Sequence, residues 1–287
     1  MNTRPFLLHA LSPLHAGTGQ AADVIDLPTA RMKATGIPFI PGSSIKGVLR
    51  DVCGTGGADG EKLLAVFGPE QKDAAKHAGA LVVGDARLLA LPVRSFRGTF
   101  AWTTSPLLLT LARRDLEERG ADLSIPRIDG RGARVANGNC CMHQGRLYLE
   151  DLDLAAGASD EATAWARLLA PLASPADDIF TKRFAIVDDD TMAFLWDTAT
   201  QVDARVRLDE STRTVAPGAL WLEESLPPET LLIGLLAADR SRRPRVDMTP
   251  DDVLGFALAG EEVLQLGGKA TTGRGRCRIV PIVTRRP

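Results

Sequence analysis

Hydrophobic and polar residues alternate along the chain in blocks that predict strands and helices in turn. Apolar runs over 6–11, 81–89 and 231–237 predict buried strands, and strict alternation over 202–208 predicts a strand with one exposed face. Apolar positions recur at helical spacing after Ser43, which predicts a helix with Ser43 as its N-cap. The mixture indicates an α+β class, or an α/β class with antiparallel character.

The remaining segments continue the mixed pattern, with two interruptions. Residues 120–146 are rich in Gly, Arg, Asn and Cys without a clear period, which predicts a long loop or insertion. A polar stretch between apolar strands predicts a projecting hairpin over 202–222. The other predicted elements are strands over 146–154, 184–187 and 276–283, and helices over 105–119, 161–170 and 249–259, with a further helix after the acidic start at 188–190.

Length and composition fit an ordinary globular protein of 287 residues and 30.6 kDa. Hydrophobic residues make up 45% and charged residues 24% of the chain, which excludes a disordered protein and a coiled coil. No run approaches the ~18 apolar residues of a membrane span, so we expect no membrane contact. The four cysteines lack C-x-x-C spacing, which predicts reduced thiols and a cytoplasmic location.

The formal charge of −2 argues against a general nucleic-acid binder, but the cations are unevenly placed. Residues 27–50 hold four cations and no acid, and residues 269–287 hold six cations and no acid. Such stretches suit a surface that faces phosphates on a protein that is neutral overall. For Arg285 and Arg286 a basic terminal tail is the preferred interpretation.

The segment 42–47 resembles a phosphate-binding loop only superficially, because its glycine and lysine spacing does not match a P-loop. Ser43 and Ser44 begin a predicted helix, and Lys46 follows one turn later. Free amides at a helix start with a nearby cation suit a phosphate. A serine cap beside a solvated lysine explains the same residues equally well.

The glycine-rich run 267–275 would let the backbone approach a polyanion, with Lys269 and Arg274 supplying charge. Without other context it is a flexible loop between a helix and a strand.

The stretch 97–102 weakly resembles the strand that contacts RNA in RNA-recognition domains, but aromatic residues make up only 5% of the chain. Any nucleic acid would therefore be held mainly by its backbone.

Asp26 is the most interesting carboxylate, because it follows the first strand and precedes Arg31 and Lys33. It could form a structural ion pair, or act as a metal ligand or general base beside a phosphodiester. His15 is the nearby imidazole, with a buried or turn-stabilising role as its alternative. Two other clusters favour structural roles: 140–143 is a poor zinc site, and 188–190 reads as a helix start rather than a magnesium site.

Several blocks in order resemble one known family. They are His15-Ala16-Gly17-Thr18-Gly19, Ile25-Asp26-Leu27-Pro28, residues 33–47 from Lys33 to Gly47, and segments within 85–102, 218–227 and 267–275. Together they resemble the RAMP superfamily of CRISPR effector proteins, and more narrowly the repeated backbone subunit of the Cmr-type (type III-B) complex. Met32 departs from the pattern, since the family often carries an acid beside Arg31.

The resemblance implies one domain over 1–287 with a ferredoxin-like, RRM-related core, whose copies polymerise along a CRISPR guide RNA beside other Cmr-type subunits. The hairpin over 202–222 would be a thumb that displaces a base pair of the guide–target duplex at regular intervals. The residues that would then hold guide phosphates are Ser43, Ser44, Lys46, Arg50, Gly268, Lys269 and Arg274.

The resemblance also implies that Asp26 is needed to cut complementary target RNA. The expected chemistry depends on a divalent metal, Mg²⁺ or Mn²⁺, and is attack of a 2′-hydroxyl on the adjacent phosphate. Asp26 could serve as base, metal ligand or orienter, with His15 and Glu224 as weaker supporting candidates. The alternatives are a scaffold subunit without catalysis, a cytoplasmic metabolic enzyme, and a guide-processing nuclease, for which the chain offers no suitable His pair.

Overall fold

The computed structural model describes residues 1–17, 25–57, 59–69, 77–117, 127, 132–174 and 178–282 of the chain. The strands in these ranges are β1 (Asn2–Ala10), β2 (Phe39–Ile40), β3 (Leu81–Val83), β4 (Ala86–Arg94), β5 (Phe100–Thr104), β6 (Ala133–Val135), β7 (Met142–His143), β8 (Arg146–Leu149), β9 (Leu152–Ala158), β10 (Phe184–Ile186), β11 (Gln201–Leu208), β12 (Val215–Ser225), β13 (Leu231–Ala238), β14 (Glu262–Gln265) and β15 (Arg276–Pro281). The α-helices are α1 (Gly42–Thr55), α2 (Gly60–Phe67), α3 (Pro106–Glu117), α4 (Asp160–Ala173), α5 (Asp189–Thr198) and α6 (Pro250–Ala257). Within the described ranges, none of the helices is both long and apolar enough to cross a bilayer.

The centre of the fold is a four-stranded antiparallel unit in the order β15-β1-β13-β4. Helix α1 lies in the chain between β1 and β4, and α6 lies between β13 and β15, which gives the β-α-β-β-α-β order of a ferredoxin-like core. The predicted α+β class and ferredoxin-like core are therefore confirmed.

Both faces of β1 are buried, which explains its continuous apolar run. Phe6 and Leu8 pack in the same cluster as Ile45 of α1 and Leu254 of α6, whereas Leu7 packs in a second cluster on the opposite face. Alternate side chains of a strand point to opposite faces, so this single strand joins two hydrophobic cores.

Beyond β4 the sheet continues through β5, β10, β6, β9, β8 and β7. Residues 120–146 were predicted as a long loop or insertion, and their described part is not one long loop, because β6 and β7 lie there and β6 pairs with β9 and β10. These strands are too short to show a period, and tertiary pairing forms them. Most of 120–131 lies outside the described residues.

Three other sequence predictions need correction. The strand predicted over 81–89 is two strands, β3 and β4, and the strand predicted over 146–154 is the hairpin β8–β9, which reverses at Glu150 with φ +48°. Helix α1 has Pro41, not Ser43, as its N-cap, because Asp85 accepts a hydrogen bond from the Gly42 N–H at 2.8 Å. The acidic helix start is confirmed, since Asp188 accepts from the Thr191 N–H.

The hairpin predicted over 202–222 is formed by β11 and β12, which pair with each other as a separate two-stranded sheet. One face carries exposed aliphatic side chains: Val202, Val206, Leu208, Val215 and Leu220. On the other face, the cross-strand partners Asp203 and Glu223 lie near the root of the hairpin. This alternation separates an apolar surface from a charged one, and the candidate site lies at the root.

Candidate functional site

Asp26 lies against the root of the hairpin. Its Oδ2 accepts a hydrogen bond from the Leu222 N–H at 2.7 Å. Leu27 continues the pairing, since its N–H donates to the Leu222 carbonyl at 3.1 Å and its own carbonyl accepts from the Glu224 N–H at 3.0 Å. The Asp26 segment therefore adds a short parallel bridge to β12, and the carboxylate remains exposed to solvent.

Among the residues that the structure describes, no ion pair involves Asp26, so the alternative of a structural ion pair gains no support there. Arg31 instead pairs with Glu224 at 2.6 Å and with Asp197 at 3.0 Å. In the same ranges, no donor contacts the second oxygen of Asp26, Oδ1.

Glu224 has the opposite environment, since it is only 2% exposed. Its carboxylate accepts hydrogen bonds from the Thr29 N–H at 2.9 Å, from Arg31 Nη2 at 2.6 Å and from Thr200 Oγ1 at 2.8 Å. Three donors therefore satisfy the buried carboxyl group. The geometry favours a structural role for Glu224 over direct contact with RNA.

His15 is half-buried and bound to the same strand. Its Nδ1–H donates to the Glu224 carbonyl oxygen at 2.6 Å, so the neutral ring keeps Nε2 as an acceptor. Nε2 lies 2.7 Å from where a Cβ at Gly17 would sit, so a larger residue there would have to displace the imidazole ring. The structure thus brings Asp26, His15 and Glu224 together through backbone groups of β12.

The glycine-rich loop 267–275 reaches the hairpin from the other side. Lys269 forms an ion pair with Glu223, whose carboxylate is fully buried, and Arg274 pairs with Asp203. Burial first, and then the neighbouring Arg205 and Arg274, lower the pKa of Lys269. Both predicted phosphate-binding cations of this loop are therefore engaged with carboxylates, and Gly268 is exposed.

Asp203, Arg205 and Glu223 were missed by sequence reasoning. Burial raises the pKa of Asp203, but hydrogen bonds from Arg274 and Gln201 outweigh that effect and hold it below the usual value. Arg205 lies 3.8 Å from the Glu223 carboxylate. The alternation over 202–208 places Asp203 and Arg205 on one face, but no sequence signal shows what that face contacts.

The second predicted phosphate-binding group lies at α1, and no described hydrogen bond or ion pair connects it to Asp26. Ser43 and Ser44 are exposed at the start of the helix. Lys46 Nζ donates to the Leu81 carbonyl at 3.0 Å, and Arg50 donates to a loop carbonyl, that of Gly68. Burial first, and then Arg50, lower the pKa of Lys46. Ser43 and Lys46 line an open cleft of about 480 Å³.

The described residues contain no group of three or more His, Cys, Asp or Glu side chains that could hold a metal by themselves. Asp26 is exposed, and among the described residues its Oδ1 has no donor. Mg²⁺ commonly uses one or two carboxylates together with substrate phosphates and waters. The donor set therefore fits only a cation site that bound RNA completes.

Sequence comparisons agree with this architecture. A family model described as the RAMP superfamily matches residues 7–278. The CRISPR system Cmr endoribonuclease Cmr4 of Pyrococcus furiosus is 33% identical over 279 residues, which cover 95% of this chain and 93% of that protein. A relationship along nearly the whole chain argues against an unrelated metabolic enzyme.

Solved structures show the same fold. The crystal structure of oligomeric Cmr4 from Pyrococcus furiosus matches with a TM-score of 0.76 and 26% identity over 98% of each chain. A subunit of the type III-B Cmr-beta complex in its apo state has a TM-score of 0.77 at 21% identity, covering 98% of this chain and 97% of that subunit. The chain belongs to the RAMP superfamily, and within it to the Cmr4 family of type III-B CRISPR proteins.

Proposed function

We propose that this protein is the backbone subunit of a type III-B effector complex and cleaves the RNA that pairs with the guide. Copies of the chain would polymerise along the guide RNA beside the other subunits of the complex. The observation that carries the proposal is the exposed Asp26 carboxylate, fixed to the root of a projecting hairpin by the Leu222 N–H. We place this activity in the cytoplasm, whose reducing conditions suit four cysteines without paired spacing.

The aliphatic face of the hairpin supports the role of a thumb. Val206 is 49% exposed and Leu220, its cross-strand partner, is 64% exposed. Apolar side chains on such a ribbon can separate neighbouring base steps, at a cost of a few kcal/mol per step that other contacts offset. A displaced base pair would bend the target backbone beside Asp26 and bring its 2′-hydroxyl toward in-line geometry.

The chemistry would be transfer of the phosphate to the 2′-oxygen. The 2′-hydroxyl gives up its proton to water as the 2′-O–P bond forms. The P–O5′ bond breaks and the leaving 5′-oxygen takes a proton from water, which leaves a 2′,3′-cyclic phosphate and a 5′-hydroxyl. Asp26 would hold a divalent cation, Mg²⁺ or Mn²⁺, through its free Oδ1 together with oxygens of the RNA. The bound cation would offset negative charge that develops on the phosphate. Leu222 orients the carboxylate through Oδ2, and the His15 and Glu224 contacts hold β12 in place.

The decisive experiment is cleavage of end-labelled complementary RNA by the guide-loaded complex, with Mg²⁺ or with excess EDTA. We expect an evenly spaced ladder with Mg²⁺, because identical subunits repeat along the guide, and intact RNA in EDTA. Product ends should be cyclic phosphates. Intact RNA in both lanes, with target binding preserved, would support the scaffold alternative instead. A ladder that persists in EDTA would refute the metal requirement alone.

The guide would be held through its phosphates at the start of α1 and at the loop 267–275. We predict that Lys46→Gln weakens guide binding about tenfold, which corresponds to about 1.5 kcal/mol for a hydrogen bond to a charged group. Removing one phosphate contact should also reduce the slope of log Kd against log salt by about 0.7 for a single strand. Fluorescence anisotropy of a labelled guide at several KCl concentrations measures both.

The exposed Lys62 of α2 provides the matched control, because Lys62→Gln changes the net charge equally. We expect its guide affinity and salt slope to stay at the wild-type values. Equal losses in the two variants would mean that net charge, rather than a phosphate contact at Lys46, determines guide binding.

A further inference from the structure

One guanidinium joins the Asp26 segment to two distant parts of the chain. Arg31 Nη2 donates to Glu224 Oε1 of β12 at 2.6 Å and to the Trp196 carbonyl near the end of α5 at 3.1 Å. Its Nη1 lies 3.0 Å from the Asp197 carboxylate and donates to the Gly36 carbonyl. The planar guanidinium group carries donors on several nitrogen atoms and can make all these contacts together. The single ammonium group of lysine cannot.

The segment that carries Asp26 is attached to β12 at both ends. At its start, Asp26 itself and Leu27 bind the backbone of Leu222. At its end, the Thr29 N–H and the Arg31 side chain bind the two oxygens of the Glu224 carboxylate. These two attachments fix the segment to the hairpin, and the Ala30 N–H also binds it to the Ala16 carbonyl at 2.7 Å.

We infer that Arg31 and Glu224 form a positioning pair, which holds the Asp26 carboxylate in register with the root of the hairpin. The inference rests on the proposed cleavage function. Removing Arg31 would leave Glu224 buried without its cationic partner, and an unpaired buried charge draws in water or displaces the groups around it. The Thr29 attachment would loosen, and Asp26 would move with it. A misplacement of about 1 Å can cost about 100-fold in rate.

The test compares guide-loaded complexes that contain the wild-type chain, Arg31→Met or Arg31→Lys. The matched control is Arg87→Met. Arg87 on β4 forms a similar half-buried ion pair with Asp115 on α3, and this pair lies outside the proposed cleavage site. Single-turnover cleavage at saturating target gives a rate constant and an amplitude, and target Kd is measured separately. A purely structural defect reduces the amplitude through loss of folded complex, whereas mispositioning reduces the rate constant.

We expect Arg31→Met to lower the rate constant about 10- to 100-fold with target Kd unchanged, Arg31→Lys to recover part of the loss, and Arg87→Met to keep the wild-type rate constant. An Arg31→Met rate constant equal to that of wild type overturns the inference. So does an equal loss in Arg87→Met, or a loss confined to amplitude.

If Arg31→Met does not assemble, Glu224→Gln decides, because glutamine retains the shape and the Thr29 and Thr200 contacts but lacks the charge. A wild-type rate constant for Glu224→Gln then overturns the inference. The Asp26→Asn complex distinguishes failure of the cleavage proposal from failure of the positioning pair. If the cleavage proposal is wrong, that variant cleaves at the wild-type rate. Loss of cleavage in Asp26→Asn, with normal rates in the Arg31 variants, refutes only the positioning pair.

Discussion

Replacing Asp26 with asparagine is expected to reduce cleavage of bound target RNA by at least ~100-fold, the lower range for losing a catalytic carboxylate. Asparagine keeps an oxygen that can accept from the Leu222 N–H, so the position of the side chain is preserved. Only the negative charge at Oδ1 is lost, and with it the ability to hold a cation or accept a proton. Guide and target Kd should change by less than about twofold, because Asp26 contributes no cationic contact to phosphate.

The assay is single-turnover cleavage of end-labelled target, with filter binding of the same RNA as the second readout. Asp151→Asn removes an equally exposed carboxylate from the β8–β9 turn and should cleave at the wild-type rate. Unimpaired cleavage by Asp26→Asn would remove Asp26 from the mechanism, whatever the rest of the complex does.

The second large effect concerns stability. Gly275→Ala is expected to destabilise the fold by about 3–5 kcal/mol, among the largest effects of single substitutions. Gly275 has φ +77°, and a Cβ there would overlap the backbone carbonyl oxygen of Leu266, which cannot move as a flexible side chain could. The distortion would also displace Arg274 from Asp203 at the hairpin root.

Gly273→Ala separates backbone strain from steric overlap. Gly273 has the same φ of +77°, but apart from its chain neighbours no described residue has an atom within 4 Å of the added Cβ. It should cost only about 1–2 kcal/mol, the penalty of the left-handed conformation. Urea denaturation of the two purified variants gives both free energies of unfolding. Equal losses would contradict the overlap with Leu266.

The sequence could indicate Asp26 as a candidate site residue, but not the residues that surround it in the fold. Arg31 is five residues away and is the obvious local cation, yet it pairs with Glu224, which is 193 residues further along the chain. Ion pairing depends on which side chains the fold brings within a few ångströms, and local spacing in a loop does not determine that. The same reason explains why Lys269 and Arg274, predicted to face phosphates, contact Glu223 and Asp203.

Local periodicity was enough to predict the buried central strands, the alternating hairpin strand and the acidic start of α5, because each depends on residues within a few positions of one another. The resemblance in ordered blocks indicated the ferredoxin-like core. Only the tertiary structure determined which strands pair, that residues 81–89 divide into β3 and β4, and that β6 and β7 form at all. It also decided the surroundings of Asp26, because β12 lies nearly 200 residues away in sequence. That strand supplies the N–H that orients one Asp26 oxygen and the Glu224 carboxylate that binds Arg31.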